Sequence, residues 1–261
     1  MKKTAIEIRN LTAGYRTKSG NKQITSNLQA EIPEGRLTCL LGANGVGKST
    51  LLRTLSGFQP PLSGDVLIFG TNINSFSGKE LSRTVGIVLT ERISARDLTV
   101  RELVSLGRNP YTGFWGRLGK SDERKVSDAI AQINIENLAE RTIHTLSDGE
   151  RQKVLLAKVL SQETPLILLD EPTAFLDFKS KIEIMLLLRR LAHEKGKTVF
   201  LTTHDVELAL QIADELRLMD ADKLIAGTPS ELKENGELER FFRFDGVVFD
   251  KETGNFKLTF K

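Results

Sequence analysis

The chain has 261 residues, of which 27% are charged, and its formal net charge of +3 is too balanced to indicate a nucleic-acid partner. Its single cysteine, Cys39, excludes a disulfide within the chain and favours a reducing compartment. No apolar window approaches the ~18 residues of a membrane-spanning helix, and residues 1–10 lack the apolar core of a signal peptide. We therefore expect a soluble, cytosolic protein unless it docks on another component.

Strand-like runs dominate the first third of the sequence. They are short and apolar or β-branched, and Pro33-Glu34-Gly35 and Ser63-Gly64 separate them with residues that favour turns. The predicted strands are residues 4–9, 23–32, 37–41 and 65–69.

Between the third of these strands and a helix that starts near Ser49, the sequence fits the pattern Gly-x-x-x-x-Gly-Lys-Ser/Thr. Such glycines let the backbone wrap closely around a polyphosphate, with N–H groups converging on it at the start of the helix. Lys48 is expected to reach the β- and γ-phosphates, and the Ser49 hydroxyl to ligate Mg²⁺. The pattern predicts a nucleoside-triphosphate site, formed by Gly42, Asn44, Gly45, Gly47, Lys48, Ser49 and Thr50.

Helical patterns interrupt the strand-rich chain in its middle third. One further strand is predicted at residues 85–89. The helices that follow it are predicted at residues 100–106, 121–133 and 149–162.

Buried strands then return. Apolar runs at residues 165–169 and 198–203 flank an amphipathic helix at 179–193. This alternation predicts an α/β fold in which helices cover a parallel sheet. The tail is predicted to contain a weak helix at 230–235 and a hairpin of two strands, 246–249 and 256–260.

Two acidic residues end the run Leu166-Ile167-Leu168-Leu169. A strand that carries a carboxylate out at its C-terminal end, beside a phosphate loop, is typical of enzymes that hold Mg²⁺ with a nucleotide. Asp170 is expected to complete the ligand shell of the metal. Glu171 is expected to polarise or deprotonate an attacking water.

Ser147 starts the helix predicted over residues 149–162 and supports two interpretations. With Glu150 three residues later it forms the pattern of a capping box. Alternatively, Ser147 and the free N–H groups of this helix end present a second anion site, aimed at a γ-phosphate. The two interpretations compete for the Ser147 hydroxyl but not for the backbone donors.

Five motifs follow one another along the chain. They are the phosphate loop at 42–50, Leu-Ser-Asp-Gly-Glu at 146–150, Leu-Leu-Asp-Glu-Pro at 168–172, Phe-Leu-Asp at 175–177 and Thr-Thr-His-Asp at 202–205. In this order they resemble the ATP-binding subunit of an ATP-binding-cassette (ABC) transporter, over roughly residues 5–225. The resemblance implies a phosphate-loop NTPase core of the RecA type, with an N-terminal antiparallel β part and an inserted α-helical subdomain. It implies an ATPase domain at 1–225, with the insertion at about 92–162, and a tail at 226–261.

The resemblance also implies a homodimer. Two copies are expected to associate head to tail and to bury two ATP molecules, each with Mg²⁺, between them. The phosphate loop of one subunit then faces Ser147 and Gly149 of the other. Asp177 matches the acid that links the two sites across the dimer.

Other positions match the family one at a time. Tyr15 matches the aromatic residue that stacks on adenine, and His204 matches the histidine that contacts the γ-phosphate and the attacking water. His144 and His193 match no functional position and are expected at the surface. The expected catalytic residues are Lys48, Glu171 and His204.

Two departures from the family pattern carry consequences. Where the family has a glutamine that touches Mg²⁺, this chain has Thr90, whose hydroxyl is a shorter candidate ligand. Where the family has Gly-Gly-Gln after the signature serine, this chain has Asp148-Gly149-Glu150. Two acids favour the helix dipole but oppose an incoming phosphate, so closure of the dimer by ATP is expected to be weaker than usual.

Residues 98–111, followed by Phe114-Trp115-Gly116, resemble the subset of bacterial importers that carry iron–siderophores, haem or cobalamin. The resemblance implies a separate membrane permease, indirect cooperation with a substrate-binding protein, and a peripheral location at the cytoplasmic face of the bacterial inner membrane. Phe114 and Trp115 are candidate apolar anchors for a permease helix. The same residues also fit a helix capped by Gly107 and ended by Pro110.

The basic residues of this region are expected on a solvated face, or near anionic lipid head groups. They are Arg101, Arg108, Arg117, Lys120 and Arg124.

Three hypotheses compete. The first is an importer ATPase for an iron chelate, haem or cobalamin, or for another cargo. The second is a soluble cassette ATPase that remodels a macromolecule, although such relatives usually have two cassettes or a long coiled-coil insertion. The third is a phosphate-loop kinase, which has no use for Ser147 or Asp177.

Overall fold

The computed structural model describes residues 3–18, 20–89, 97–113, 115–243, 247–250 and 255–258. Thr90 and Phe114, which the sequence singles out, lie outside the described residues.

The N-terminal part is built on two long antiparallel strands. In chain order its elements are β1 (Thr4–Thr17), β2 (Gly20–Pro33), β3 (Leu37–Leu41), α1 (Lys48–Leu55), β4 (Ser63–Ile68) and β5 (Thr71–Asn72). β1 and β2 extend well beyond the predicted strands, because irregularities in their pairing, such as the one around Asn10 (φ 46°), interrupt the alternation that predicts a strand. Four of these strands form an antiparallel sheet in the order β2-β1-β4-β5.

The middle of the chain is helical, and side-chain caps define where most of its helices begin. Its elements are α2 (Gly78–Thr84), β6 (Val85–Val88), α3 (Val100–Ser105), α4 (Lys120–Gln132) and α5 (Asp148–Gln162). Ser77, Thr99 and Ser147 each cap a helix in a capping box with a glutamate three residues later. α3, α4 and α5 pack on one another through buried aliphatic residues, among them Leu103 and Val126.

The remainder of the chain alternates strands with helices and ends in a hairpin. Its elements are β7 (Leu166–Asp170), α6 (Phe178–Lys195), β8 (Thr198–Thr202), α7 (Val206–Ile212), β9 (Glu215–Met219), β10 (Leu224–Gly227), α8 (Pro229–Glu234), α9 (Glu237–Phe241), β11 (Val247–Asp250) and β12 (Asn255–Leu258). β11 and β12 pair antiparallel, with Asp250 opposite Asn255.

A second sheet forms the centre of the molecule. In the part of the chain that is described, its order is β10-β9-β3-β8-β7-β6, with parallel pairing except between β9 and β10. Both faces of its inner strands are buried: Leu37, Cys39 and Leu41 join one apolar core, and Leu40 joins the other. This is the pattern of parallel strands covered on both sides. The predicted α/β class is confirmed, and the C-terminal ends of β3, β7 and β8 meet at one edge.

The region after α3 differs from its prediction. Gly107 does not cap the helix in a left-handed conformation; the chain continues as a 3₁₀ helix over Leu106–Tyr111, with Pro110 inside it. A Cβ at Gly107 would lie 2.2 Å from Ser161 Oγ and 2.3 Å from the Lys158 carbonyl oxygen. Glycine is required here because the segment packs directly on α5.

No helix among the described residues combines the length and the apolar character needed to cross a membrane.

Candidate active site

The phosphate loop joins the buried strand β3 to α1. α1 begins after Gly47 (φ 109°) without a side-chain cap, so the first N–H groups of the helix are left for another acceptor. A Cβ at Gly47 would also lie 2.7 Å from Ile24 Cγ2, which excludes larger residues. Asn44, Gly45 and Ser49 are exposed on this loop and the first turn of α1.

The Lys48 side chain is folded back along the loop. Its Nζ donates hydrogen bonds to the carbonyl oxygens of Gly42 at 2.8 Å and Ala43 at 3.0 Å. Burial lowers the pKa of Lys48, and the nearby carboxylates of Glu171 and Asp170 oppose that shift. The ammonium group is therefore held at the centre of the loop, in the electrostatic field of both acids.

Asp170 and Glu171 lie where β7 ends beside β8. Asp170 is buried and pairs in register with Thr202, whose hydroxyl donates to Asp170 Oδ1 at 2.7 Å. The backbone N–H of Glu171 donates to the same hydroxyl at 3.0 Å. Thr202 is therefore the residue that ties both acids to the neighbouring strand.

Glu171 and His204 meet at the open side of this edge. The Oε1 atom of Glu171 lies 2.6 Å from His204 Nε2, and both side chains are partly exposed. Glu171 has a left-handed backbone (φ 49°), an unusual conformation for a residue with a side chain. A partly exposed carboxylate paired with an imidazole can accept a proton from a water held between them and a ligand.

Tyr15 lies beside the phosphate loop from the N-terminal sheet. It is 41% exposed, and its hydroxyl lies within hydrogen-bond distance of Thr50 Oγ1, at 3.2 Å. An exposed aromatic ring next to a phosphate loop can stack on a base.

Ser147, Gly149 and Asp177 lie apart from these groups. Among the described residues, no hydrogen bond or ion pair joins any of the three to the phosphate loop of the same chain. Ser147 makes the capping box with Glu150: its hydroxyl accepts from the Glu150 N–H at 3.2 Å and lies 3.0 Å from Glu150 Oε2. The backbone N–H of Ser147 donates to Glu150 Oε2 at 2.8 Å.

Asp148 and Asp177 also have local partners. Asp148 Oδ1 accepts from Arg151 Nη1 at 2.6 Å on an exposed surface. Asp177 caps α6, accepting from the backbone N–H and from the hydroxyl of Ser180, each at 2.9 Å. These two hydrogen bonds lower the pKa of Asp177, with the backbone N–H of Ser180 contributing most.

The sequence interpretation missed one residue of the site and misplaced another residue. Thr202 belongs to the Thr-Thr-His-Asp motif, but the motif predicts no role for it; its signal is a hydroxyl at the end of an apolar strand next to the Asp170 strand. Arg108, expected on a solvated face, is only 2% exposed, because Asp122, Glu163 and the Ser161 carbonyl satisfy its guanidinium group. His144 and His193 are exposed, and His193 Nε2 contacts Asp214 Oδ1 at 2.9 Å.

Residues 25–174 match the ABC transporter family. The ferric enterobactin transport ATP-binding protein FepC of Escherichia coli K12 is 39% identical over 241 residues, which cover 92% of this chain and 88% of that protein. The iron(3+)-hydroxamate import ATP-binding protein FhuC of Bacillus subtilis 168 is 36% identical over 95% of this chain and 92% of its own length.

A solved structure shares the same architecture. It is the dimeric, post-hydrolysis state of the ATP-binding cassette MJ0796 bound to ADP and Pi, with a TM-score of 0.77 and 28% identity over 86% of this chain and 98% of that one. With a phosphate loop, a strand-end pair of acids and a following histidine at one sheet edge, the chain belongs to the ABC transporter family and is an ATP-binding cassette of it.

Proposed function

We propose that this chain hydrolyses ATP to energise the uptake of an iron chelate through a separate membrane permease. The observation that carries the ATPase assignment is the Glu171–His204 contact beside the buried Lys48 and Asp170. The cargo assignment is supported by FepC and FhuC, whose names specify ferric enterobactin and iron(3+)-hydroxamate. Residues 98–111 alone predict an iron chelate, haem or cobalamin as the cargo. Of these three, the names of FepC and FhuC favour an iron chelate.

The phosphate loop is proposed to hold the nucleotide through its backbone and Lys48. Mg²⁺ takes few protein ligands and completes its shell with phosphate and water, and the exposed Ser49 hydroxyl and the Asp170 carboxylate are donors of that kind. Bound there, the ion would neutralise charge on the β- and γ-phosphates. Tyr15 is proposed to stack on adenine. The proposed nucleotide contacts of this subunit are Gly42, Asn44, Gly45, Gly47, Lys48, Ser49 and Thr50.

Glu171 is proposed to accept the proton of the attacking water. Its carboxylate is partly exposed and next to His204, so it can reach a water at the end of the phosphate chain while His204 orients that water. Thr202 positions Glu171 by accepting its backbone N–H.

A second copy is proposed to complete each nucleotide site. Among the described residues, no hydrogen bond or ion pair joins Ser147, Gly149 or Asp177 to the phosphate loop of their own chain, and Ser147 and Asp148 are exposed at the start of α5. A helix N-terminus favours an anion, so in a head-to-tail dimer this end of α5 would face the γ-phosphate bound by the other subunit. The dimeric form of the MJ0796 cassette supports the association of two copies.

The permease is proposed to dock in a groove of about 770 Å³ between the end of α1, α2 and the 3₁₀ segment Leu106–Tyr111. Its walls combine apolar and polar groups, and Phe58, 70% exposed, lies at its rim. Trp115, 82% exposed, follows the same segment and is a candidate anchor. The subunit would then sit at the cytoplasmic face of the bacterial inner membrane, and a substrate-binding protein would act on the other side.

We propose the division of the chain that the family resemblance implies. It consists of an ATPase domain at 1–225, with an inserted helical part at about 92–162, and a tail at 226–261.

Purification of the tagged chain from its native membranes tests this function. We expect a polytopic membrane protein to co-purify with two copies of the chain, and the complex to hydrolyse ATP in the presence of Mg²⁺. A chain that hydrolyses ATP but co-purifies with a ribosome, a nucleic acid or no partner would contradict the importer assignment and leave the ATPase assignment standing.

A further inference from the structure

Tyr111 ends the 3₁₀ segment that forms one wall of the groove, but it does not line the groove itself. The wall consists of Leu106, Gly107, Asn109 and Pro110. Tyr111 is 36% exposed and is held by Arg83 of α2, by Gln162 of α5 and by Arg108 of its own segment.

Two arginines lie over the Tyr111 ring. The guanidinium carbon of Arg108 is 4.0 Å from the ring centroid, and that of Arg83, from α2, is 5.1 Å from it. Arg83 Nε also donates to the Pro110 carbonyl at 3.0 Å. The ring is therefore a junction between α2, on the core side of the groove, and the inserted helices.

Arg108 is fixed in place by its other contacts. Its Nε donates to Asp122 Oδ1 at 2.9 Å, and its Nη1 donates to the Ser161 carbonyl at 2.7 Å and to Glu163 Oε2 at 3.2 Å. The guanidinium group also lowers the pKa of Asp122. A buried charge with this many partners holds α4 and the end of α5 to the Tyr111 ring.

The same cluster also contacts the last turn of α5. The Tyr111 hydroxyl donates to the Gln162 carbonyl at 3.0 Å, and the Gln162 side chain donates to the Ser82 carbonyl of α2 at 2.5 Å. α5 then runs 15 residues back to the capped Ser147 end, about 22 Å away at 1.5 Å per residue. A displacement of the groove wall therefore acts on one end of the helix whose other end carries Ser147.

We propose that Tyr111 is a positioning residue: through its ring contacts with Arg83 and Arg108 and its hydrogen bond to Gln162, it transmits the position of the occupied groove to α5 and so to Ser147. This inference rests on the proposed permease docking. Tyr111 contributes to coupling, while Leu106 and its neighbours contribute to binding.

The test uses the complex of this chain with the permease that co-purifies with it, reconstituted in vesicles. Tyr111→Phe keeps the ring and removes the hydroxyl; Tyr111→Leu removes both. We expect Tyr111→Phe to lower the stimulation of ATP hydrolysis by the permease about fivefold, and Tyr111→Leu about tenfold or more. Affinity for the permease and ATP hydrolysis by the isolated chain are expected to stay within about twofold for both variants.

Three further variants separate coupling from permease binding and from a general effect of charge. Leu106→Ala, in the groove wall, should weaken permease binding. Arg83→Gln should behave like Tyr111→Phe, whereas Arg190→Gln, which removes the same charge from the exposed face of α6, should have no effect.

The inference would be overturned if the permease stimulated ATP hydrolysis by the Tyr111→Leu variant as fully as it stimulates the wild type. It would also be overturned if this variant lost permease affinity in parallel with stimulation. Hydrogen exchange of the isolated chain gives a readout that is independent of the permease: Tyr111→Leu should speed exchange of the amides at residues 158–163. Unchanged exchange there would also overturn the inference. A wild-type chain that binds no permease would instead contradict the proposed function, and the exchange result would still decide whether Tyr111 holds the end of α5.

Discussion

The conformation of Glu171 depends on a single hydroxyl. Thr202 accepts the Glu171 N–H and donates to Asp170, so one side chain of β8 positions both acids together. The left-handed backbone of Glu171 (φ 49°) costs free energy that this contact helps to offset. The carboxylate then lies against His204.

Glu171→Gln should abolish turnover and keep ATP binding, because the amide cannot accept the proton while Lys48 and Asp170 are unchanged. Loss of a general base lowers the rate by about 10²–10⁴-fold. Steady-state hydrolysis, together with nucleotide binding measured by equilibrium dialysis, checks the prediction. Near-normal hydrolysis by the Glu171→Gln variant would show that another residue is the general base, with His204 as the first candidate.

Thr202→Val should destabilise the chain by about 1–3 kcal/mol, because it removes the hydroxyl bonded to the buried Asp170 carboxylate. It should also weaken Mg²⁺-dependent ATP binding. Thr38→Val is the matched control: Thr38 is fully buried in β3, and its hydroxyl has no hydrogen-bond partner among the described residues. Urea unfolding should therefore show Thr38→Val to be neutral or stabilising, and equal losses in the two variants would contradict this role of Thr202.

At the scale of elements, the N-terminal end of α5 carries an acid next to the proposed phosphate site. The charge of Asp148 is paired, since Arg151 Nη1 lies 2.6 Å from Asp148 Oδ1 on an exposed surface. An exposed pair of this kind is screened and contributes under about 1 kcal/mol. The charge is therefore expected to modulate dimer closure and not to prevent it.

Asp148→Gly should strengthen ATP-dependent dimerisation of the Glu171→Gln protein by up to about fivefold, the equivalent of ~1 kcal/mol. Arg151→Gln, which leaves the Asp148 charge unpaired, should weaken the dimer in the same background. Analytical ultracentrifugation with saturating ATP measures both. If both substitutions shifted the dimerisation constant in the same direction, Asp148 would act on the dimer only through the helix end that it stabilises.

Features that depend on local sequence could be predicted, whereas features that depend on contacts between distant residues could not. The inner strands and α6 are visible in the sequence because apolar runs and helical periodicity are local signals. The predicted strand at 4–9 is shorter than β1 because bulges in β1 break the alternation, and the sequence does not reveal α7 because seven residues carry little periodic signal. The junction at Tyr111 joins residues from 83 to 162, and no local pattern marks such a contact.

At the scale of the whole molecule, the proposed docking groove lies between the end of α1, the helix that begins at the phosphate loop, and the helical region, and α5 runs from this groove to Ser147. The phosphate loop, Asp170 and Glu171 belong to the central sheet, whereas Ser147 and the groove wall belong to the helical region. In the proposed complex, coupling between transport and hydrolysis would pass between these two parts.

Trp115→Ala should lower the affinity for the permease about 30-fold, since buried aromatic anchors contribute ~2 kcal/mol or more to such interfaces. Phe178→Ala is the control, because Phe178 is 79% exposed but lies beside Asp177 and not beside the groove. Pull-down with the co-purifying permease measures both variants, and thermal unfolding of the isolated chains checks that they fold. Equal binding by the Trp115→Ala variant and the wild type would exclude Trp115 as an anchor.

Uptake of a radiolabelled ferric siderophore by cells that lack this chain tests the central claim most directly. We predict that uptake stops in the deletion strain, returns with the wild-type chain, and does not return with Glu171→Gln, although that variant reaches the membrane in equal amount. Normal growth of the deletion strain on every chelated iron source, with failure on another nutrient, would contradict the cargo. Full rescue by Glu171→Gln would contradict the claim that hydrolysis at this site drives transport.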